Sequence, residues 1–105
     1  MRLQINTDNN IQGGDDVRRL VTEVVESKLA AVSEAITRIE VHLQDQASGK
    51  SGASDKRCMI EARLEGRAPL SATHASDTIR SAVIGSVDKL RNVLDTELGK
   101  ARRHR

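Results

Sequence analysis

The residues best placed to do chemistry in this chain are cations close to its end, in the stretch DKLRNVLDTELGKARRHR that spans residues 88–105. On a helical wheel of about 100° per residue, Arg80, Arg91 and Arg102 border an apolar stripe. Lys89, Lys100 and Arg103 fall on the far, solvent side. Cations ranked in this way suit phosphates, whose counterions they displace in a salt-dependent and largely sequence-independent grip. The plainer account is a solvated helix end. In it, Arg102, Arg103 and Arg105 complement the negative pole of the helix, and Asp88, Asp95 and Glu97 break up the positive charge.

Other constellations carry less. The run GKSG from Gly49 to Gly52 satisfies the G-x-x-G of KH domains, but that loop must join two helices and here it falls between two strands. Lys50 reads as a loop charge, and no complete P-loop pattern occurs. His42, Cys58 and His74 sit on three successive strands, yet alternation turns His42 away from the face that holds Cys58, and structural zinc usually takes four ligands. Cys58 therefore reads as a small core residue. Arg38, Glu40, Glu61, Arg63 and Glu65 make an alternating-sign outer sheet face, for which cross-strand ion pairs are the economical reading. No Ser, His and Asp grouping stands out, so neither an enzyme nor a cofactor or metal is expected.

Composition narrows the field further. The 105 residues support one small domain, residues 1–105, with a modest core. Lys and Arg number 17 against 15 Asp and Glu, giving a formal charge of +2. The distribution is uneven: residues 1–55 hold 6 basic and 9 acidic side chains, whereas 56–105 hold 11 and 6. The second half is thus the expected polyanion contact. There is no Phe, Trp or Tyr, so aromatic platforms for single-stranded bases are excluded, and duplexed or tightly folded RNA fits better. With a single cysteine no intrachain disulfide forms. The opening MRLQINTDNN lacks a signal peptide's apolar core, and no apolar run is long enough to span a bilayer. A cytoplasmic protein without a membrane or small-molecule partner is expected.

The elements that must position these residues are legible from periodicity. Arg2 to Thr7 alternates as a strand, and Asn9, Asn10, Gly13 and Gly14 make a turn. Asp15 and Asp16 open a first helix over 15–36, with Val17, Val21, Val25, Leu29, Val32 and Ile36 at spacings of three and four. RIEVHLQ, residues 38–44, turns Ile39, Val41 and Leu43 inward as a second strand. After a polar loop over 47–54, KRCMIEARLEGR turns Cys58, Ile60, Ala62 and Leu64 inward as a third, running on to a turn at Arg67 to Pro69. Leu70 to Ala75 makes a short fourth strand. The second helix starts near Ser76 or Asp77, with a stripe of Ile79, Val83, Val87, Leu90, Leu94 and Leu98. Gly85 falls outside that stripe, beside Lys89 and Arg103, and reads as a tolerated glycine. The order β-α-β-β-β-α predicts an α+β two-layer sandwich, a four-stranded sheet with both helices on one face.

That order, the opening MRLQINTDNNI, the segment EVVESKLAAVSEAITRI and the element SAVIGSVDKL together resemble the short ribosome hibernation promoting factors, also known as ribosome-associated inhibitors or ribosomal subunit interface proteins. The resemblance runs over almost the whole chain, and its best motif is Asp88-Lys89-Leu90. It implies a double-stranded-RNA-binding-like fold, occupancy of the small subunit's mRNA and tRNA groove, and silencing of translation under stress. Small-subunit rRNA would be the partner. The rRNA-facing positions it implies are Lys28 on the first helix, Lys89 and Lys100 on the second, and the tail residues Arg102 and Arg103. Arg80 and Arg91 join them on the wheel argument alone. The chain departs from the family at Asn92 and Thr96, where basic residues are usual, at Ile79, Ala35 and Ile36, where aromatic residues are usual, and in a longer approach to the first helix that leaves Arg18 and Arg19 unmatched, although both are candidate phosphate contacts in their own right. Longer members continue into a dimerising domain, so a monomer that binds ribosomes without pairing them is expected. The alternative is a protein-interaction module that uses the sheet face, its basic tail serving solubility.

Overall fold

The computed structural model describes residues 1–9, 11, 14–46 and 55–103, with side chains through Lys100. Four strands, β1 (Arg2–Thr7), β2 (Ile36–Asp45), β3 (Lys56–Leu64) and β4 (Leu70–Ser76), form one sheet in the order β1-β2-β3-β4. β1 runs parallel to β2, and the other neighbours are antiparallel. A parallel pair needs a crossover, and α1 (Gly14–Lys28) supplies it, while α2 (Ile79–Arg103) returns across β3 and β4. Both helices pack on one face, as the α+β sandwich requires.

Strand alternation fills the layer between sheet and helices. Ile39, Val41 and Leu43 of β2 and Cys58, Ile60, Ala62 and Leu64 of β3 are buried against Val17, Val21 and Val25 of α1, Leu29, and Val83, Val87, Leu90 and Leu94 of α2. No aromatic side chain holds the layers apart. Ala82 and Ser86 are fully buried too, so α2 rests on the sheet through small residues. Ser86 donates to the Val83 carbonyl at 2.9 Å and lies 3.0 Å from the Cys58 sulfur, which satisfies a hydroxyl that burial would otherwise leave unpaired.

Three boundaries differ most from the sequence reading. The first helix stops at Lys28, and Ala30–Ala35 winds as a 3-10 helix before Ile36 opens β2. Val32 N–H bonds the Leu29 carbonyl, the tighter i to i−3 pattern, and Ser33 bonds the Ala30 carbonyl. Three residues per turn keep Leu29, Val32 and Ala35 on one face, so the apolar spacing continues although the α-helix does not. β3 ends at Leu64 rather than Arg67 because the chain reverses at Gly66, whose φ of 72° favours glycine. α2 starts at Ile79, since Thr78 Oγ1 caps it by accepting from Ser81 N–H at 3.1 Å. The loop expected at 47–54 lies outside the described residues, as do Asn10 and Gly13 of the turn before α1. Its ends are held together by Gln46 N–H on the Asp55 carbonyl and by Lys56, which is 3.4 Å from Asp45 and 2.9 Å from Asp55.

Candidate nucleic-acid interface

α2 carries cations on two flanks, and each flank meets a different neighbour. On the β4 side, Lys89 is exposed and its Nζ donates to the Thr73 carbonyl at 3.1 Å. β4 is an edge strand, so this bond occupies an acceptor that would otherwise invite another strand, and it leaves the ammonium charge unneutralised. Lys100 is exposed and has no partner among the described residues. On the α1 side, Arg80 is likewise exposed and free among the described residues. Between the flanks, Asp88, Asn92 and Asp95 are exposed, so the crest of the helix is acidic and polar.

Arg91 is turned inward instead. Its Nε donates to Asp95 at 2.9 Å, and an Nη donates at 3.0 Å to the carbonyl of Lys28, the last residue of α1. A helix end leaves such carbonyls without partners, so Arg91 caps α1 and ties the two helices together. Lys28 in turn places its Nζ 2.9 Å from Asp88. Carboxylates of α2 thus offset both cations where the helices meet. The side chains of Arg102 and Arg103 lie outside the described residues. Among the described residues the structure therefore sorts the sequence-derived set into cations with no carboxylate partner, Arg80, Lys89 and Lys100, and cations paired with one, Lys28 and Arg91.

On the opposite face of the sheet, the ion pairs among the described residues run mostly along the strands rather than across them as expected: only Arg63 and Glu40 pair between strands, and Glu65 joins none of the pairs. Arg38 lies 3.0 Å from Glu40, and Arg63 lies 3.2 Å from Glu61 and 3.8 Å from Glu40. Glu40 and Glu61 are direct cross-strand partners, an arrangement that repels unless cations stand beside it. The hydrogen bond from Arg38 is the main reason that Glu40's carboxyl ionises below its usual range.

The strand register settles the His42, Cys58 and His74 question. Cys58 pairs with Leu43 and His74, placing these on the inner face, whereas His42 pairs with Met59 on the outer one. Among the described residues no three His, Cys, Asp or Glu side chains gather to hold a metal. Burial pushes the Cys58 thiol up to about 11 from 9.0, against the smaller opposing effect of Ser86. The unfolded chain thus loses this proton first, so stability should fall by about 1.4 kcal/mol per pH unit between the two values. Cys58→Ala should remove that slope in denaturant titrations, and the wild-type thiol should label only when the chain unfolds.

Gly85 is more than a tolerated glycine. A Cβ there would lie 2.5 Å from Cγ and 2.6 Å from Nε2 of His74, so β4 delivers a ring directly onto the helix backbone. Wheel position had assigned this flank of α2 to solvent. Only the lateral position of β4, which no local pattern encodes, reveals the contact. Sequence reasoning likewise passed over a groove at the β1 edge, where Arg2, Arg18 and Arg38 come together. Outward alternation of Arg2 and Arg38 was readable, but their pairing depends on the parallel register.

Comparison with known proteins adds three findings. The family model described as Sigma 54 modulation protein / S30EA ribosomal protein matches residues 5–102. The fold is similar to the N-terminal domain of Protein Y from Thermus thermophilus, with a TM-score of 0.65 and 21% identity over 91% of this chain and 98% of that one. It is also similar to a ribosomal subunit interface protein from Coxiella burnetii, with a TM-score of 0.60 and 20% identity over 98% of this chain and 99% of that one. No curated protein matches the chain.

Proposed function

The chain belongs to the Sigma 54 modulation protein / S30EA ribosomal protein family, and from that premise we propose that it binds the small ribosomal subunit, lies in the groove used by mRNA and tRNA, and so inhibits translation under stress. The observation that carries this reading is the family match over residues 5–102, which takes in α1 and all of α2 except its last residue, Arg103. Arg80, Lys89 and Lys100 supply charge that no carboxylate among the described residues neutralises, and Lys28 adds a contact once Asp88 gives way. Phosphates are the fitting ligand, because the chain has no aromatic ring on which a base could stack. Inhibition then follows from occupancy and requires no catalytic group. A cytoplasmic monomer is the form in which it would act.

Sedimentation with purified small subunits over a salt series tests the proposal. Co-migration at low salt, lost steeply as salt rises, is expected; failure to co-migrate at low salt would overturn it. Asp88→Asn sharpens the test. Releasing Lys28 from its half-exposed ion pair should raise affinity about two- to fivefold at low salt, with the gain fading at high salt.

A further inference from the structure

We propose that the groove at the free edge of β1 is a phosphate-binding site formed by Arg2, Arg18 and Arg38, separate from the α2 flanks. The proposal rests on the family reading only for the source of the phosphate, not for the site itself. The groove has a volume of about 390 Å³, and Arg2, Arg18 and Arg38 line it together with Leu3, Gln4 and Ile5. Arg2 and Arg38 are side-by-side partners across the parallel β1–β2 pair, and Arg18 reaches the same groove from α1. Among the described residues β1 pairs only with β2, so no described strand covers this edge.

The charge in the groove is unbalanced. Three arginines and no carboxylate line the groove, and the one ion pair that any of the three makes among the described residues is that of Arg38 with Glu40 at 3.0 Å, a carboxylate shared with Arg63 at 3.8 Å. Arg2 and Arg18 have no ion-pair partner among the described residues. Like charges brought together with so little compensation repel, and an anion relieves that repulsion.

Arg38 gives a second, independent sign. Its Nε is buried and has no hydrogen-bond partner, although buried donors are nearly always satisfied. Glu40 engages only its terminal nitrogen. A guanidinium presents donors in a fixed fork that suits phosphate oxygens, and three such forks around one groove favour a phosphate over a single carboxylate. The site lies across the sheet from Lys89: three strand spacings of about 4.8 Å separate the β1 and β4 edges. A domain gripped at both edges would be held in a groove of folded RNA rather than on one side of it.

The test follows the arginine Nε–H resonances of the full chain by NMR during titration with inorganic pyrophosphate. The expected result is a saturable shift of the Arg38 Nε–H, with affinity lowered about tenfold in an Arg2→Gln, Arg18→Gln double variant. These two side chains make no described internal bonds, so the variant should fold as wild type does. A second arm measures small-subunit binding against salt. A slope reduced by about two in the variant upholds the site and assigns its phosphates to RNA. An unchanged slope together with lost pyrophosphate binding upholds the site and assigns it to a free phosphate compound. Absence of any saturable shift, or equal pyrophosphate affinity in variant and wild type, overturns the proposal. Wild-type protein that does not bind subunits at all would defeat the proposed function, while the pyrophosphate arm would still decide on the groove.

Discussion

Replacing Arg80, Lys89 and Lys100 together with glutamate should weaken binding to small subunits roughly a hundredfold at low salt, and should cut the slope of log affinity against log salt by about three. Among the described residues, the three side chains are the α2 cations that the fold leaves uncommitted to carboxylates. Arg80 and Lys100 are free among the described residues, and Lys89 spends one hydrogen bond on a neutral carbonyl. Each contact is taken at about 1 kcal/mol, so three lost contacts give the stated factor. Arg91 is deliberately absent from the variant. Its guanidinium caps α1 at 3.0 Å, so changing it would loosen the joint between helices and confuse binding with folding. Equilibrium sedimentation reads the affinity, and far-UV circular dichroism checks that the helices persist. Retained affinity with an unchanged slope would mean that other cations make the contact.

The second large effect concerns stability. Gly85→Ala should destabilise the protein by about 1 to 3 kcal/mol, the cost of overpacking a filled site. On an exposed helix the same change stabilises by about 1 kcal/mol, so the sign itself is diagnostic. A Cβ at residue 85 meets the His74 ring along its whole edge, Cδ2 nearest and then Cγ and Nε2, so relieving the clash requires the ring as a whole to move. In a domain of this size the melting temperature should drop by roughly 4 to 8 °C per kcal/mol. His74→Ala in the same chain should restore the loss, because it removes the ring and lets the alanine show its helix preference. A double-mutant cycle measures that coupling, and additive effects would show that the two residues do not meet in solution.

These two cases also mark how far the sequence could be read. Period-two runs named the inward residues of β2 and β3, Ile39, Val41, Leu43, Cys58, Ile60, Ala62 and Leu64, and all are buried. The α2 stripe from Val83 to Leu94 was equally plain. Those signals are local, set by a side chain's own backbone period. The misreadings arose where one element borrows from another. Apolar spacing runs through Leu29, Val32 and Ala35 regardless of whether the turn is α or 3-10, so the end of α1 was invisible. Lys89 and Gly85 fall on the solvent side of an isolated helix, but β4 comes up beneath that flank. Arg91 borders the stripe on the wheel, yet only the docking of α1 supplies the carbonyl that claims it. The Arg2 and Arg38 pairing required the parallel register of β1 on β2, which 28 intervening residues between those strands do not announce.

Family membership and the freedom of the α2 cations converge on one central claim, that this domain holds small-subunit rRNA by its phosphates in the path of mRNA and tRNA. Chemical probing of small-subunit rRNA with and without the protein addresses it most directly. The account predicts protection confined to nucleotides lining that groove, strong with wild-type protein and absent with the Arg80, Lys89 and Lys100 triple variant. Protection elsewhere on the subunit, or equal protection by the triple variant, would contradict it.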